Sequence, residues 1–155
     1  TVPSRFRSMR FEDVSSEIRT PEIAYYASRV SAVPEVREFL LNTQRDMAKN
    51  GNILMDGRDI GTVILPDAPV KIFLTASAES RAERRYKELA EKGQQVTMES
   101  VLHDINERDR QDMNRAIAPL RQAEDAVLLD TSALTLEESI ASVLRIIREK
   151  TEENK

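Results

Sequence analysis

Residues 70–74 read VKIFL, a short and nearly continuous apolar run that decides the fold class of this chain. Two further runs have the same character: ILM at residues 53–55, which leads into Asp56-Gly57, and AVLLD at residues 126–130. Short apolar strands that alternate with amphipathic helices are typical of a parallel sheet covered on both faces. The sequence therefore predicts an α/β fold.

Helical patterns separate these runs. The predicted helices cover residues 20–32, 34–50, 77–92 and 97–115, and a last one starts at Thr135. Start signals support them: Thr20 precedes Pro21, Thr97 is a capping hydroxyl, and Thr135 forms a capping box with Glu138. Residues 5–11 alternate weakly, so they are either a short edge strand or a frayed end.

Composition excludes several classes of protein. The chain has 155 residues, which suits one domain, and no cysteine, which excludes disulfide frameworks and thiolate metal sites. The chain also has only one histidine, so we expect no metal centre held by Cys and His side chains. No apolar run approaches the ~20 residues of a membrane span, and the net charge of -4 argues against a nucleic-acid partner. The expected compartment is the cytoplasm.

The basic residues are mostly arginine, with 17 Arg and 6 Lys. The guanidinium group is a planar fork that suits phosphates and carboxylates. Three clusters of charged residues contain these arginines. The first is DGRDIG at residues 56–61, directly after a predicted strand, where ligands bind in open α/β sheets. The alternative is an ordinary Asp-Gly turn with an Arg–Asp ion pair.

The second cluster is Arg108, Asp112 and Arg115, which have the spacing i, i+4 and i+7 and so share a helix face. Such a face could hold a sugar hydroxyl and a phosphate, or it could be a solvated helix end. We expect Arg108 and Asp112 to contribute little to stability, because the segment has few apolar residues. The third cluster is RAERR at residues 81–85, which either binds an anion or is balanced by neighbouring glutamates.

These strings together resemble the bacterial cytidylate kinase family. The resemblance rests on EIRT at residues 17–20, DGRDIGT at 56–62, PDAPVKIFL at 66–74, RAERR at 81–85, and ERD at 107–109 followed by NRAIAPL at 114–120. It extends over residues 12–150. The resemblance implies transfer of a phosphoryl group from ATP, with Mg²⁺, to CMP or dCMP.

The resemblance also implies roles for individual residues. Ser28, Arg37 and Asp59 would contact the cytosine, and Asp112 with Arg108 would hold the ribose. Arg58 and Arg115 would reach the phosphates and, with Arg108, form the catalytic set. Arg84 and Arg85 would lie on the ATP side of the lid. Such a site fits phosphoryl transfer, which depends on positioning and charge neutralisation.

One part of the family pattern is absent from this chain. Family members begin with a strand and a glycine-rich loop around the ATP phosphates, with the pattern G-x-x-x-x-G-K-[ST]. The four glycines, at positions 51, 57, 61 and 93, cannot form it. That strand would lie between residues 53–56 and 70–74, so we expect an empty slot there. The chain alone is then expected to self-associate, or to be ordered by an added N-terminal segment.

The combined prediction is part of a P-loop kinase core. Residues 1–50 would form a monophosphate-binding insert region, and residues 51–155 the rest of the core with a lid at about 81–118. The predicted activity is that of a cytidylate kinase, weak or lost in this chain alone. Two alternatives stay open: a non-catalytic nucleotide-binding fragment, and a kinase of another small substrate.

Overall fold

The computed structural model describes residues 18, 20–31, 33–49 and 51–153. The chain divides into two compact units, residues 1–40 and 41–155, and the division falls within the second helix. The predicted strand at residues 5–11 lies outside the described residues. The predicted domain boundary at residue 50 stays a prediction.

In the first unit, α1 covers Pro21–Ser31 and α2 begins at Pro34, ending at Lys49 in the second unit. The Thr20 hydroxyl accepts a hydrogen bond from the Ile23 amide at 3.2 Å, as its capping position predicts. Tyr25 receives a hydrogen bond from Arg29 at 2.8 Å, and the guanidinium lies 5.6 Å from the ring centroid. Both predicted helices of this region are confirmed.

The second unit contains a parallel two-stranded sheet. Strand β1 covers Ile72–Thr75 and β2 covers Val127–Asp130, with Ile72 opposite Val127 and Thr75 opposite Asp130. The predicted strands at 70–74 and 126–130 are therefore confirmed within two residues at each end. Residues 52–56 have no regular secondary structure, so the predicted strand at 53–55 is wrong. A strand needs a hydrogen-bonded neighbour, and residues 52–56 find none in the described part of the chain.

Three helices complete the second unit: α3 at Ala78–Glu91, α4 at Met98–Asn114 and α5 at Leu136–Glu153. Helices α3 and α4 pack around Ala82, Leu89 and Val101, which are at most 5% exposed. Helix α5 packs against β2. The predicted caps are present, because Thr97 accepts from the Ser100 amide and Thr135 exchanges hydrogen bonds with Glu138.

The carboxyl ends of the two strands meet the start of α3. The Thr131 amide donates to the Thr75 carbonyl at 2.8 Å, directly after the ladder. Ser77 caps α3, and its own amide donates to the Ser132 hydroxyl at 2.7 Å. These bonds fix the start of α3 at the edge of the sheet where ligands bind in α/β proteins. No helix among the described residues is long and apolar enough to cross a membrane.

Candidate functional site

A cluster of two buried acids and two arginines lies in the second unit. Asp59 and Asp112 are 7% and 5% exposed. Arg58 donates from Nε to Asp112 Oδ2 at 2.8 Å, and Arg115 lies within 3.7 Å of Asp59 and 4.0 Å of Asp112. Two of the predicted clusters, residues 56–61 and the end of α4, therefore form one site.

The local backbone explains how this cluster forms. Residues Ile60–Ile64 form one turn of π-helix, in which the Asp59 carbonyl accepts from the Val63 and Ile64 amides at 2.9 and 3.2 Å. On the other side, α4 ends at Asn114, so Arg115 has extended φ and ψ and turns away from the helix axis. Its Nε donates to the Ala118 carbonyl at 2.5 Å, where Ala118 has a φ of 49°. A positive φ is costly for alanine, so this turn is held by its surroundings.

Arg115 has a polar atom that the protein leaves unsatisfied. Its Nη2 is buried and has no hydrogen-bond partner among the described residues, although Asp59 is within ion-pair distance. A buried donor without an acceptor costs about 1–3 kcal/mol. An anionic oxygen at this position would remove that cost.

Arg108 differs from its predicted neighbours. Its side chain is exposed, and in the described part of the chain it makes no hydrogen bond or ion pair. The structure therefore does not include Arg108 in the buried cluster, although Asp112 lies one helical turn away. Of the two alternatives for this helix face, the solvated helix end does not hold for Asp112, because the segment after α4 and the turn at residues 56–61 cover it.

A second feature of this unit is a cleft of about 480 Å³. One wall is Met55 with residues 56–58, and another is β1 itself. Arg81 and Arg84 line it from α3, and Asp109 lines it from α4. The cleft separates residues 55–58 from strand β1, and the predicted slot for a further strand stays a prediction.

The two cleft arginines are held by oxygen atoms of the protein. Arg81 forms a bidentate pair with Asp109 at 3.0 and 2.7 Å and donates to the Ala76 carbonyl at 2.9 Å. Arg84 donates to the Thr131 carbonyl at 2.6 Å. Their guanidinium groups therefore face the cleft in fixed positions. The sequence analysis assigned no role to Asp109 itself, although it belongs to the Glu107-Arg108-Asp109 string on which the family resemblance partly rests.

Arg85 lies apart from the cleft. It pairs with Glu88 at 2.7 Å on the same helix. For Arg85, this is the alternative in which neighbouring glutamates balance the charge of the RAERR segment. The Lys92 ammonium and then Arg85 hold the pKa of Glu88 down, at about 2. Arg85 is thus occupied by a local ion pair.

The remaining predicted residues lie in the first unit. Arg37 donates from Nη1 to the Ser31 carbonyl at 3.3 Å, which keeps its side chain near the start of α2. The Ser28 side chain lies outside the described residues. The predicted cytosine contacts of both residues stay predictions.

Arg45 is a residue of this region that the sequence analysis missed. It donates to the Val63 and Ile64 carbonyls at 2.8 and 3.1 Å and so fixes the end of the π turn that follows Asp59. The partners are separated by 18 and 19 residues, and no local pattern in the sequence indicates such a contact.

Comparison with known proteins gives consistent matches. Residues 5–149 match the sequence model of the family described as cytidylate kinase. The chain is similar to the cytidylate kinase of Thermosipho melanesiensis, with 56% identity over 137 residues that make up 88% of this chain and 63% of that protein. The cytidylate kinase of Carboxydothermus hydrogenoformans is 51% identical over 140 residues, 90% of this chain and 63% of that protein. The Enterobacter sp. (strain 638) cytidylate kinase is 54% identical over 139 residues, 90% of this chain and 61% of that protein. This chain spans about three fifths of the length of the curated relatives it matches.

Proposed function

Because this chain belongs to the cytidylate kinase family, we propose that it supplies the monophosphate-binding part of an enzyme that phosphorylates CMP or dCMP. The products would be CDP or dCDP, and ATP would be the phosphoryl donor. The observation that supports this best is the unsatisfied Nη2 of Arg115, on a guanidinium group that lies near both Asp59 and Asp112. A nucleoside monophosphate carries both the anion and the hydroxyl groups that such a cluster can bind.

The proposed roles follow from the charges of the cluster. Arg58 and Arg115 would bind the phosphate, because guanidinium groups pair with phosphate oxygens. Asp112 orients Arg58 through their 2.8 Å bond and would accept a hydrogen bond from the ribose. Asp59 would accept from the cytosine amino group, which uracil lacks. Arg108 is exposed and could reach a bound ribose without breaking a contact to any of the residues that the structure describes.

The residues at the cleft fit ATP in part. Arg84 and Arg81 present guanidinium groups that suit phosphate oxygens, but protein oxygens already accept some of their donors. Arg85 would contact ATP only after its ion pair with Glu88 is broken. The described residues contain no cluster of three His, Cys, Asp or Glu side chains for a metal. Mg²⁺ is therefore proposed only as the ion that ATP phosphates carry, and no step is assigned to it.

Nucleotide selectivity tests this proposal directly. We expect CMP to bind more tightly than UMP in calorimetry or NMR titration, because the Asp59 carboxylate can accept from the amino group of cytosine, whereas uracil has a carbonyl oxygen in that place. Asp59→Ala should remove most of this preference. Asp67→Ala is the matched control, since Asp67 is exposed and lies outside the cluster.

Two results would contradict the assignment. The first is equal affinity for CMP and UMP in the unmutated chain, and the second is an unchanged preference in Asp59→Ala. Tighter binding of another nucleoside monophosphate than of CMP, in a panel of such compounds, would support the alternative of a kinase that acts on a different small substrate. Binding without turnover supports the alternative of a non-catalytic fragment.

A further inference from the structure

Asp59 stands at the start of the π turn Ile60–Ile64, and its backbone and side chain have different partners. Its carbonyl accepts from the Val63 and Ile64 amides at 2.9 and 3.2 Å. Its carboxylate makes no capping hydrogen bond with the turn, although an aspartate at the start of an α-helix commonly does. The carboxylate lies 3.7 Å from Arg115 Nη2. The turn therefore holds the backbone of Asp59, and the carboxylate belongs to the charged cluster.

The other end of the same turn is held by a side chain of α2. A turn of five residues leaves its last carbonyl groups without partners inside the turn. Arg45 donates from Nη2 to the Val63 carbonyl at 2.8 Å and from Nε to the Ile64 carbonyl at 3.1 Å. The donors of a guanidinium group have a fixed planar arrangement. One side chain can therefore hold two successive carbonyls in one position.

A single peptide group connects Arg45 to Asp59. The carbonyl of the Val63–Ile64 peptide accepts from Arg45, and the N–H of the same peptide donates to the Asp59 carbonyl. A peptide group is planar and rigid, so a movement at one side of it displaces the other side. Both ends of the turn are buried, with Asp59 7% and Ile64 6% exposed. Because buried carbonyls need donors, loss of Arg45 should force this part of the turn to rearrange.

On the basis of the function proposed above, we propose that Arg45 is a positioning residue for recognition of the base. It acts through the Val63–Ile64 peptide on the position of the Asp59 carboxylate, which would accept from the cytosine amino group. A hydrogen bond weakens steeply when its donor and acceptor leave their preferred geometry. A small displacement of Asp59 therefore lowers the preference for cytosine over uracil, although Arg45 itself touches no part of the nucleotide.

The preference for one base separates this role from a merely structural one. If Arg45 only stabilised the fold, its loss would lower the free energy of unfolding and weaken the binding of CMP and UMP alike. If Arg45 positions Asp59, its loss weakens CMP binding more than UMP binding, because only cytosine offers the amino group. The quantity to measure is therefore the ratio of the UMP and CMP dissociation constants.

Three variants test this role by calorimetry or NMR titration. Arg45→Met keeps the length of the side chain and removes its donors, so it should lower the ratio by roughly threefold to tenfold. Arg45→Lys keeps the charge but lacks the planar fork, so its ratio should lie between that of Arg45→Met and that of the unmutated chain. Thr135→Ala, at the start of α5, is the control that lowers stability and should leave the ratio unchanged.

A double-mutant cycle shows whether Arg45 acts through Asp59. Adding Arg45→Met to Asp59→Ala should leave the ratio of Asp59→Ala unchanged, because the group that Arg45 positions is already absent. A second readout needs no nucleotide. The ¹³C signal of the Asp59 carboxyl group should shift in Arg45→Met and stay in place in Thr135→Ala.

Two results would overturn this role. The first is an unchanged ratio in Arg45→Met with near-native circular dichroism, and the second is an equal decrease of the ratio when Asp59→Ala is already present. If Arg45→Met does not fold, an unchanged ratio in Arg45→Lys has the same meaning. If the unmutated chain has no preference for CMP, the function proposed above fails. The carboxyl signal of Asp59 then decides alone: a shift in Arg45→Met supports the positioning of Asp59, and an unchanged signal overturns it.

Discussion

Asp112 and Arg108 lie one helical turn apart on α4, and their side chains have different surroundings. The Asp112 side chain is 7% exposed and accepts from Arg58, whereas Arg108 is exposed and unpaired within the described part. The helical spacing of the two residues indicated a shared face. Burial of one of them results from the covering segment at residues 56–61, which is remote in sequence.

This difference predicts different effects on stability. Asp112→Ala should lower the free energy of unfolding by about 2 kcal/mol, because it removes the buried carboxylate that accepts from Arg58 at 2.8 Å and lies near Arg115. Arg108→Ala should stay within about 0.5 kcal/mol of the unmutated chain. Urea denaturation monitored by circular dichroism measures both. Equal effects of the two substitutions would contradict the burial of Asp112.

Two glutamates on the helix surfaces should titrate at low pH. Arg110 holds the pKa of Glu107 at about 2, and Lys92 with Arg85 holds that of Glu88 at about 2. Both values lie below the ordinary 4.5. The stabilisation from these pairs is therefore present above about pH 4.5 and is lost as the pH falls towards 2.

Carboxyl chemical shifts followed by NMR at low salt measure these values. Lys92→Met should raise the pKa of Glu88 and leave that of Glu107 unchanged, because Lys92 is the largest cause of the Glu88 shift. Both pKa values should rise with added salt, since the pairs are exposed and salt screens them. An unchanged pKa of Glu88 in Lys92→Met would contradict the pairing of Glu88 with Lys92.

At the scale of secondary-structure elements, the start of α5 depends on its capping box. The Thr135 hydroxyl accepts from the Glu138 amide at 3.2 Å, and Glu138 accepts from the Thr135 amide at 2.8 Å. Thr135→Ala should cost about 1 kcal/mol of stability. Thr151→Ala is the control, because the Thr151 hydroxyl bonds only to carbonyls of its own helix. Thermal unfolding should separate the two variants.

The π turn at Ile60–Ile64 depends on a helix that precedes it by many residues. Arg45→Met removes two hydrogen bonds to the Val63 and Ile64 carbonyls and should cost about 1–2 kcal/mol. Hydrogen exchange at Val63 and Ile64 should become faster. Lys49→Met on the same helix is the control, because the Lys49 side chain is 73% exposed. Comparable losses of stability in both variants would show that changes in α2 itself, and not the loss of the Arg45 hydrogen bonds to Val63 and Ile64, are responsible.

At the scale of the whole molecule, catalysis needs more than the cluster of acids and arginines. This chain contains no G-x-x-x-x-G-K-[ST] loop to bind the ATP phosphates. We therefore predict that it turns over CMP with ATP far below the ~1–100 s⁻¹ that is typical of kinases. A coupled assay with the Thermosipho melanesiensis relative as positive control measures this. Ordinary turnover by this chain alone would contradict the prediction.

The sequence by itself determined the local elements of this protein. Capping residues and apolar spacing predicted helices α1 to α5 and strands β1 and β2, because these signals act between residues a few positions apart. The strings around Asp59, Arg81 and Arg115 identified the family, which the match over residues 5–149 shows. Each of these conclusions rests on neighbours along the chain.

Only the tertiary structure decided which of these residues meet. It joined Asp59 to Arg115 and Arg58 to Asp112 in one cluster around two buried acids. It also paired Arg85 with Glu88 and left Arg108 exposed to solvent. It also showed that residues 53–55 form no strand. An apolar run becomes a strand only when a partner completes its hydrogen bonds, and the presence of that partner is a property of the assembled fold.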